Sequence, residues 1–333
     1  MNKTGFQFQI IGEAQRTLLR ATWPWCLKML QTGKSLDLAK EWRAHVPNGV
    51  LVLRYVTGDS EPLSDLPRLT DLAIKQYEGF QSVGGKVVLE VPINERFQTT
   101  KEDFAALAEA SVTSARTIKA AGFTPGVLIT SEGNPPGPDF GIAFFLQPAV
   151  LDALREFRKM GAIWCPHGYS HPPAISDDAY HSIRPQEILA QLPEDVRLNY
   201  LYGEDGCDGG CDLPNKKPGV GWMGYFPNAR AYAEWMHAKR QAITDDPLCV
   251  GSAMFLSGGY SQWQTFDIGD EVGIRPYFTE AVDGPPIHWL DGGGNVTELL
   301  DRTWALAEEW ERAAYPWMGQ GIKALCALLK GEK

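Results

Sequence analysis

The sequence predicts a single-domain α/β fold, a (β/α)8 or TIM barrel, over residues 1–333. Eight short apolar segments have the character of buried strands, and segments with helical signals lie between them. A chain of 333 residues with 44% hydrophobic content is also ordinary for one such barrel. Alternation of strands with helices favours a parallel sheet, and eight strands favour its closure. We expect one long loop extension after strand eight, at about 257–295.

The predicted strands are rich in apolar and β-branched residues and are bounded by turn formers. The clearest is the fourth, Lys86 to Glu95, where pairing is expected to fail at Pro92 because proline has no N–H to donate. The other strands are Phe6 to Ile11, Trp25 to Leu30, Val50 to Tyr55, Gly126 to Thr130, Ala162 to Pro166, Arg197 to Gly203 and Val250 to Leu256.

The predicted helices follow from apolar faces and from residues that begin or end helices. Thr99 and Glu102 have the spacing of a capping box, and Gly122 is placed to end the same helix. The expected helices are Ser35 to Val46, Asp65 to Val83, Thr99 to Ala121, Pro148 to Met160, Ile183 to Leu192, Asn228 to Ile243 and Val296 to Arg312.

Charge and hydropathy exclude two classes of partner. The formal net charge of −10, from 41 acidic against 31 basic residues, would repel a nucleic-acid backbone. No apolar stretch approaches the ~18 residues that a transmembrane helix needs, and the amino-terminal residues lack the apolar region of a signal peptide. The sequence therefore predicts a soluble protein without nucleic-acid or membrane partners, cytoplasmic as it stands or secreted if a leader has been removed.

Six cysteines are too few for a disulfide scaffold in a chain with this much core. Two of them, Cys207 and Cys211, lie close together in a loop rich in glycine and aspartate. They would either form a local disulfide or join Asp205, Asp208 and Asp212 around a cation. A structural zinc site usually needs a second close pair of ligands, which the sequence lacks.

Polar side chains follow several of the predicted strands, at the edge of the barrel where active sites lie. They are Asn94 and Glu95 after strand four, His167 and Tyr169 after strand six, Glu204 after strand seven and Trp263 after strand eight. Two carboxylates at strand ends are the minimum that glycoside hydrolysis requires. Glu90 is a rival to Glu95, but the sequence places it in the middle of its strand.

This order of residues resembles the clan A glycoside hydrolases, which are retaining (β/α)8 enzymes. In that clan an Asn-Glu pair after strand four carries the acid/base, and a glutamate ending strand seven is the nucleophile. A His-x-Tyr near the end of strand six and a tryptophan after strand eight are also typical. The resemblance implies that Glu95 is the acid/base and Glu204 the nucleophile in cleavage of a β-linked glycan, an oligo- or polysaccharide. It implies neither a cofactor nor a metal ion.

The resemblance also suggests how a sugar would be held. Asn94 would bond the hydroxyl next to the reacting carbon, Tyr169 would hold Glu204 by a hydrogen bond, and His167 would complete the site. Arg54, at the end of strand three, would either reach the sugar or neutralise the buried carboxylates, and we favour neutralisation. The tryptophans expected to offer flat faces to sugar rings are Trp263, Trp222 and Trp289.

Two other functions are open. A metal-dependent hydrolase would use His167 and His171, which lie near His181 in the sequence, but the proline pair 172–173 excludes the helix that would present both imidazoles on one face. A barrel that binds carbohydrate without cleaving it needs the same aromatic residues. The identity of the sugar, the linkage and the oligomeric state do not follow from the sequence.

Overall fold

The computed structural model describes residues 1–30, 35–57, 61–96, 98–131, 134–136, 141–170, 184–208, 220–290 and 323. His171, His181, Cys211 and the helix expected over Val296 to Arg312 lie outside these residues. The barrel belongs to one compact unit, Met1–Leu290, and Asp291–Lys333 form a second. That the second unit is part of the same domain stays a prediction. Within the described part of the chain, no helix has both the length and the apolar character to cross a membrane.

Eight parallel strands form a closed barrel, which confirms the predicted fold. Each strand pairs with the strands that precede and follow it in the sequence, including β6 with β7. The pairing of β1 with β8 closes the ring. The strands are β1 (Thr4–Phe8), β2 (Cys26–Met29), β3 (Val50–Leu53), β4 (Lys86–Glu90), β5 (Thr124–Val127), β6 (Ile163–Trp164 continued by His167–Ser170), β7 (Asn199–Cys207) and β8 (Cys249–Ser257).

Helices surround the barrel and bury their apolar faces against it. They are α1 (Glu13–Thr22), α2 (Ser35–His45), α3 (Leu66–Tyr77), α4 (Lys101–Ala120), α5 (Ile142–Phe145), α6 (Pro148–Met160), α7 (Arg184–Gln191), α8 (Ala229–Trp235), α9 (His237–Asp245) and α10 (Arg275–Thr279). The first helix, α1, was not among the predicted helices. Its buried residues, Gln15, Leu18, Leu19 and Thr22, have the spacing of one helical face, so the signal was present.

Several predicted boundaries are wrong by a few residues. The first strand begins at Thr4 and ends at Phe8, before the predicted end at Ile11. Thr100, not Thr99, caps α4, because its Oγ1 accepts from the backbone N–H of Asp103 at 3.1 Å. One helix was expected over Asn228 to Ile243, but the structure contains two, α8 and α9.

Strands six and seven extend further than the sequence predicts, and this sets the position of the polar residues. β6 continues beyond Pro166 because the N–H of His167 donates to the carbonyl of Thr130 at 2.8 Å. Gly203 N–H donates to the carbonyl of Pro166 at 2.9 Å, which keeps β7 paired across the proline. His167 is then directly opposite Glu204 in the register of the two strands. Both residues therefore lie within strands and not in the loops after them.

Candidate active site

Four elements bring a cluster of ionisable side chains together at the carboxyl end of the barrel. Glu204 comes from β7 and His167 and Tyr169 from β6, while Arg54 directly follows β3 and Glu95 lies in the segment after β4. The pairing of His167 with Glu204 in the strand register places the two side chains next to each other. The barrel fold thus gathers residues that are far apart in the sequence.

The two glutamates meet at one imidazole. His167 Nδ1 lies 2.5 Å from Glu95 Oε1 and 3.4 Å from Glu204 Oε2. An oxygen of each carboxylate and a ring nitrogen of His167 all lie within 4.8 Å of one another. Two carboxylates at this separation are close enough to act on opposite sides of a single reacting bond.

Glu204 is held in its ionised form. Its side chain forms an ion pair with Arg54, and Tyr169 Oη donates to Oε2 at 2.8 Å. Burial alone would raise the pKa of Glu204, but the charges of His167 and Arg54, with smaller contributions from Lys28 and the Tyr169 hydrogen bond, lower the pKa to about 2. Near neutral pH this carboxyl group is therefore an anion inside the protein.

The pKa of His167 is shifted in the direction that favours the protonated, positively charged imidazole. Its side chain is fully buried, and burial would lower its pKa. The charges of Glu204 and Glu95 and the hydrogen bond to Glu95 outweigh burial, so the pKa of His167 is raised. A protonated ring would place a positive charge between the two carboxylates.

Glu95 is the more accessible carboxylate. Its side chain is 27% exposed, against 8% for Glu204. The predicted strand through Glu95 is too long, because β4 ends at Glu90 and the N–H of Ile93 turns back to the carbonyl of Val91 at 2.7 Å. Glu95 has a φ of 43°, a left-handed conformation that is strained for a residue with a side chain. Backbone strain of this kind occurs most often at functional sites, where the surrounding structure holds a residue in one conformation.

Glu90, the alternative to Glu95 in the sequence, forms a separate ion pair with Lys28. It is the last residue of β4, its side chain is 1% exposed, and it pairs with Lys28 of β2 at 2.9 Å. Lys28 Nζ also donates to the carbonyl of Gly203 at 3.0 Å. Lys28 was not among the predicted site residues, although a lysine inside an apolar strand is a visible signal for an interior charge.

Trp263 lies close to the site. Its ring meets Phe255 edge-on at 5.3 Å, and Phe255 meets Tyr169 edge-on at 5.8 Å. Trp263 is only partly buried, so part of its ring remains available. Asn94, directly before Glu95, is also partly buried. A role of these two residues in binding sugar stays a prediction.

The other two tryptophans do not lie where the sequence placed them. Trp222 is 5% exposed and its ring stacks on Tyr232 at 5.5 Å, which contradicts the prediction that it offers a face to a sugar. Trp289 covers the ammonium of Lys86 at 4.4 Å. Because Lys86 begins β4 while Glu95 follows its end, Trp289 belongs to the opposite end of the barrel.

Asp205, one of the ligands of the cation site that the sequence left open, has other partners. Asp205 is fully buried in β7, where it pairs with Lys239 and accepts a hydrogen bond from Ser252. Cys207 is a buried free thiol in the same strand. Both residues belong to the barrel wall and not to the glycine-rich loop. The alternatives for Cys207 that involve Cys211 extend outside the described residues.

Glu95, His167 and Glu204 also have the composition of a metal site. A metal ion would need each donor about 2.0 to 2.2 Å away from it, and so about 3 Å or more from the other donors. In this structure His167 and Glu95 contact each other at 2.5 Å and Glu204 is paired with Arg54, so the three side chains bond to protein groups. The arrangement observed is that of a hydrogen-bonded network of charges.

Fold and site together define a (β/α)8 barrel with a pair of carboxylates at the carboxyl ends of its strands. No protein-family model matches this chain, and neither does the sequence of any curated protein. The similarities found are to solved structures.

An endo-β-1,3-glucanase of glycoside hydrolase family 128 from Sorangium cellulosum has a TM-score of 0.46 and 12% identity, over 84% of this chain and 100% of that one. A broad-specificity family 5 endoglucanase from an uncultured bacterium has a TM-score of 0.43 and 10% identity, over 84% and 94%. A sugar phosphate isomerase/epimerase from Parabacteroides distasonis has a TM-score of 0.35 and 10% identity, over 84% and 96%. Scores this low carry no argument about the reaction, which rests on the residues.

Proposed function

We propose that this protein is a retaining glycoside hydrolase that cleaves a β-linked glycan, with Glu204 as nucleophile and Glu95 as acid/base. The observation that carries the proposal is the separation of the two carboxylates, whose nearest ligand oxygens lie within 4.8 Å of each other. Retaining enzymes have their carboxyl groups about 5 to 5.5 Å apart, while inverting enzymes need about 6.5 to 9.5 Å to admit a water molecule.

In the first step an oxygen of Glu204 attacks the anomeric carbon of the sugar. The bond from that carbon to the leaving oxygen breaks as the new bond forms, and Glu95 gives its proton to the departing oxygen. The product of this step is a glycosyl ester of Glu204, and the leaving group departs as a neutral alcohol. Glu95 is left as a carboxylate.

In the second step Glu95 acts as the base. It removes a proton from a water molecule, whose oxygen forms a bond to the anomeric carbon as the bond to Glu204 breaks. The sugar leaves with the configuration it had at the start, because the carbon has been inverted twice. Glu95 is protonated again and Glu204 is again an anion, so the cycle needs no cofactor.

The environments of the two glutamates support this division of roles. Arg54 and Tyr169 stabilise the anion of Glu204, as a nucleophile requires. Glu95 is more exposed, and an acid/base must reach both the leaving group and water. His167 touches both carboxylates and is therefore placed to respond as charge moves between them.

A mechanism-based label tests the proposal directly. Activated 2-deoxy-2-fluoro β-glycosides of several sugars are incubated with the protein, and intact mass is measured. We expect one glycosyl unit to be added to Glu204, since the fluorine slows both steps while the activated leaving group speeds only the first, so that the glycosyl ester accumulates. Glu95→Gln should still be labelled, because an activated leaving group needs no acid, whereas Glu204→Gln should not.

Turnover on a panel of aryl β-glycosides and β-glucans completes the test, with the product anomer read by proton NMR. Retention of configuration is expected, and Glu204→Gln should lower kcat by at least about a thousandfold while the glycan still binds. An inverted product would remove the double displacement. Binding by the wild type with no turnover and no label would favour the carbohydrate-binding alternative.

A metal-dependent hydrolase is the second candidate, favoured only by the composition of the cluster formed by Glu95, His167 and Glu204. For a metal-dependent hydrolase a chelator should abolish turnover, whereas for the proposed glycoside hydrolase it should have no effect. Dialysis against EDTA should leave turnover of an aryl β-glycoside unchanged if the carboxylates act alone. If EDTA abolishes turnover and added zinc or manganese restores it, the protein is a metal-dependent hydrolase.

A further inference from the structure

A buried ion pair lies inside the barrel, next to the strand that carries Glu204. Lys28 of β2 is fully buried, and its ammonium contacts Glu90 Oε1 at 2.9 Å. Among the described residues, Glu90 Oε2 has no hydrogen-bond partner. Removing two charges from water is costly and their attraction repays it only with good geometry, so a buried pair by itself is weak evidence of a stabilising role. This pair therefore needs another explanation.

Lys28 is attached to the backbone that carries the nucleophile. Its ammonium donates to the carbonyl of Gly203 at 3.0 Å, and Gly203 directly precedes Glu204. The N–H of Gly203 donates to Pro166, which directly precedes His167. Gly203 is thus held on one side by β6 and on the other by Lys28.

The ion pair also explains why residue 203 is a glycine. A Cβ at this position would lie 2.9 Å from Glu90 Oε1 and 3.5 Å from Lys28 Nζ. The first distance is shorter than non-bonded carbon and oxygen atoms tolerate, and the second is ordinary contact. The backbone at Gly203 and the buried pair are therefore packed directly against each other.

We propose that Lys28 is a positioning residue for Glu204: it fixes the β7 backbone immediately before the nucleophile and places a positive charge below it. Glu90 holds Lys28 in place and balances its charge. The proposal rests on the proposed function, because it assigns Lys28 a purpose in the reaction of Glu204. Lys28 touches no reacting atom and is not itself a catalytic residue.

The charges around Glu204 define what Lys28 contributes. Arg54, His167 and Tyr169 contact the carboxylate from β6 and from the end of β3, and Glu95 faces it across the imidazole. Lys28 acts from inside the barrel, and its charge is among those that lower the pKa of Glu204 against the effect of burial. Its removal should raise that pKa.

The experiment compares Lys28→Met with the wild type by two independent measurements. The first is the pKa of Glu204, from the carboxyl carbon resonance of protein labelled with carbon-13 glutamate and assigned by the Glu204→Gln variant. The second is the acid limb of kcat/KM on an aryl β-glycoside. Both should move upward by about one pH unit.

Three variants separate positioning from general loss of stability. Lys28→Arg keeps the charge and should keep the acid limb near its wild-type position. Lys28→Met combined with Glu90→Gln leaves the interior neutral, and serves if the single variant does not fold. Lys3→Met removes a lysine that is equally buried but donates to the carbonyls of Ile243 and Asp246, so it should lower stability without changing the pKa of Glu204.

An unchanged pKa of Glu204 in folded Lys28→Met would overturn the proposal, and so would an unchanged kcat/KM in the double variant, which lacks the ammonium that holds the carbonyl of Gly203. The resonance titrates whether or not a substrate has been found, so this result is distinct from failure of the proposed function. Conversely, the protein could turn over no glycoside while the pKa of Glu204 still rises in Lys28→Met. Lys28 would then remain a residue that controls the charge of Glu204, and only the reaction assigned to Glu204 would be rejected.

Discussion

Replacement of Glu204 by glutamine should make folding stability less dependent on pH between pH 5.5 and 3.5. The pKa of Glu204 falls from 4.5 to about 2 on folding, because the charges of His167 and Arg54 and the other contacts outweigh burial. A carboxyl group with a depressed pKa contributes stability that is present above its unfolded pKa and is lost as pH falls through its folded pKa. The side chain of Glu204 is 8% exposed, so solvent screening does not remove this contribution.

The size of the effect follows from linkage. A difference of about 2.5 pH units is worth about 3 kcal/mol at neutral pH, and about 1 kcal/mol of it is lost by pH 3.5. In the wild type His167 does not titrate in this window. Its folded pKa is raised above the usual 6.5, so the ring is protonated in both the folded and unfolded states below about pH 5.5.

Urea unfolding followed by tryptophan fluorescence at several pH values measures this difference. The free energy of unfolding of the wild type should fall by about 1 kcal/mol more than that of Glu204→Gln over the window. Glu41→Gln is the control, since Glu41 pairs with Arg20 at the surface and should contribute little. Parallel curves for the wild type and Glu204→Gln would refute the electrostatic account of Glu204.

Three further outcomes follow from the contacts. Tyr169→Phe removes the hydrogen bond to Glu204 and should move the acid limb of kcat/KM upward by about one pH unit, which a pH profile would measure. Gly203→Ala should lower stability by about 1 to 3 kcal/mol in thermal unfolding because its Cβ meets the inner ion pair, whereas Gly12→Ala, which meets only the end of a glutamine side chain, should cost much less. Trp263→Ala should raise KM for a glycan with little change in melting temperature; an unchanged KM would remove Trp263 from the binding site.

The fold follows from the sequence because apolar strands that alternate with helical segments leave few other arrangements. The residues at which the strands end could not be predicted from the sequence. β6 passes through Pro166 only because β5 and β7 supply partners on either side of it. The sequence does not show which strand supplies each hydrogen bond, so a proline was interpreted as the end of a strand that in fact continues to Ser170.

The candidate site was predictable to a similar degree. Glu95, Glu204, His167 and Tyr169 were identified from their order along the chain, and the structure brings all four together. Lys28 was missed because its partners lie on β4 and β7, far away in sequence. A charge that is neutralised across the interior of a closed sheet cannot be assigned from any one strand.

Glu95 follows the fourth strand of the barrel and Glu204 lies in the seventh. A break in the chain near Gly122, between α4 and β5, would leave one carboxylate on each half of the molecule. Each fragment would carry half of the proposed acid/base pair, and His167 would travel with Glu204. Turnover by a mixture of the two fragments would therefore report that the halves had joined edge to edge into one ring, because neither half holds both groups.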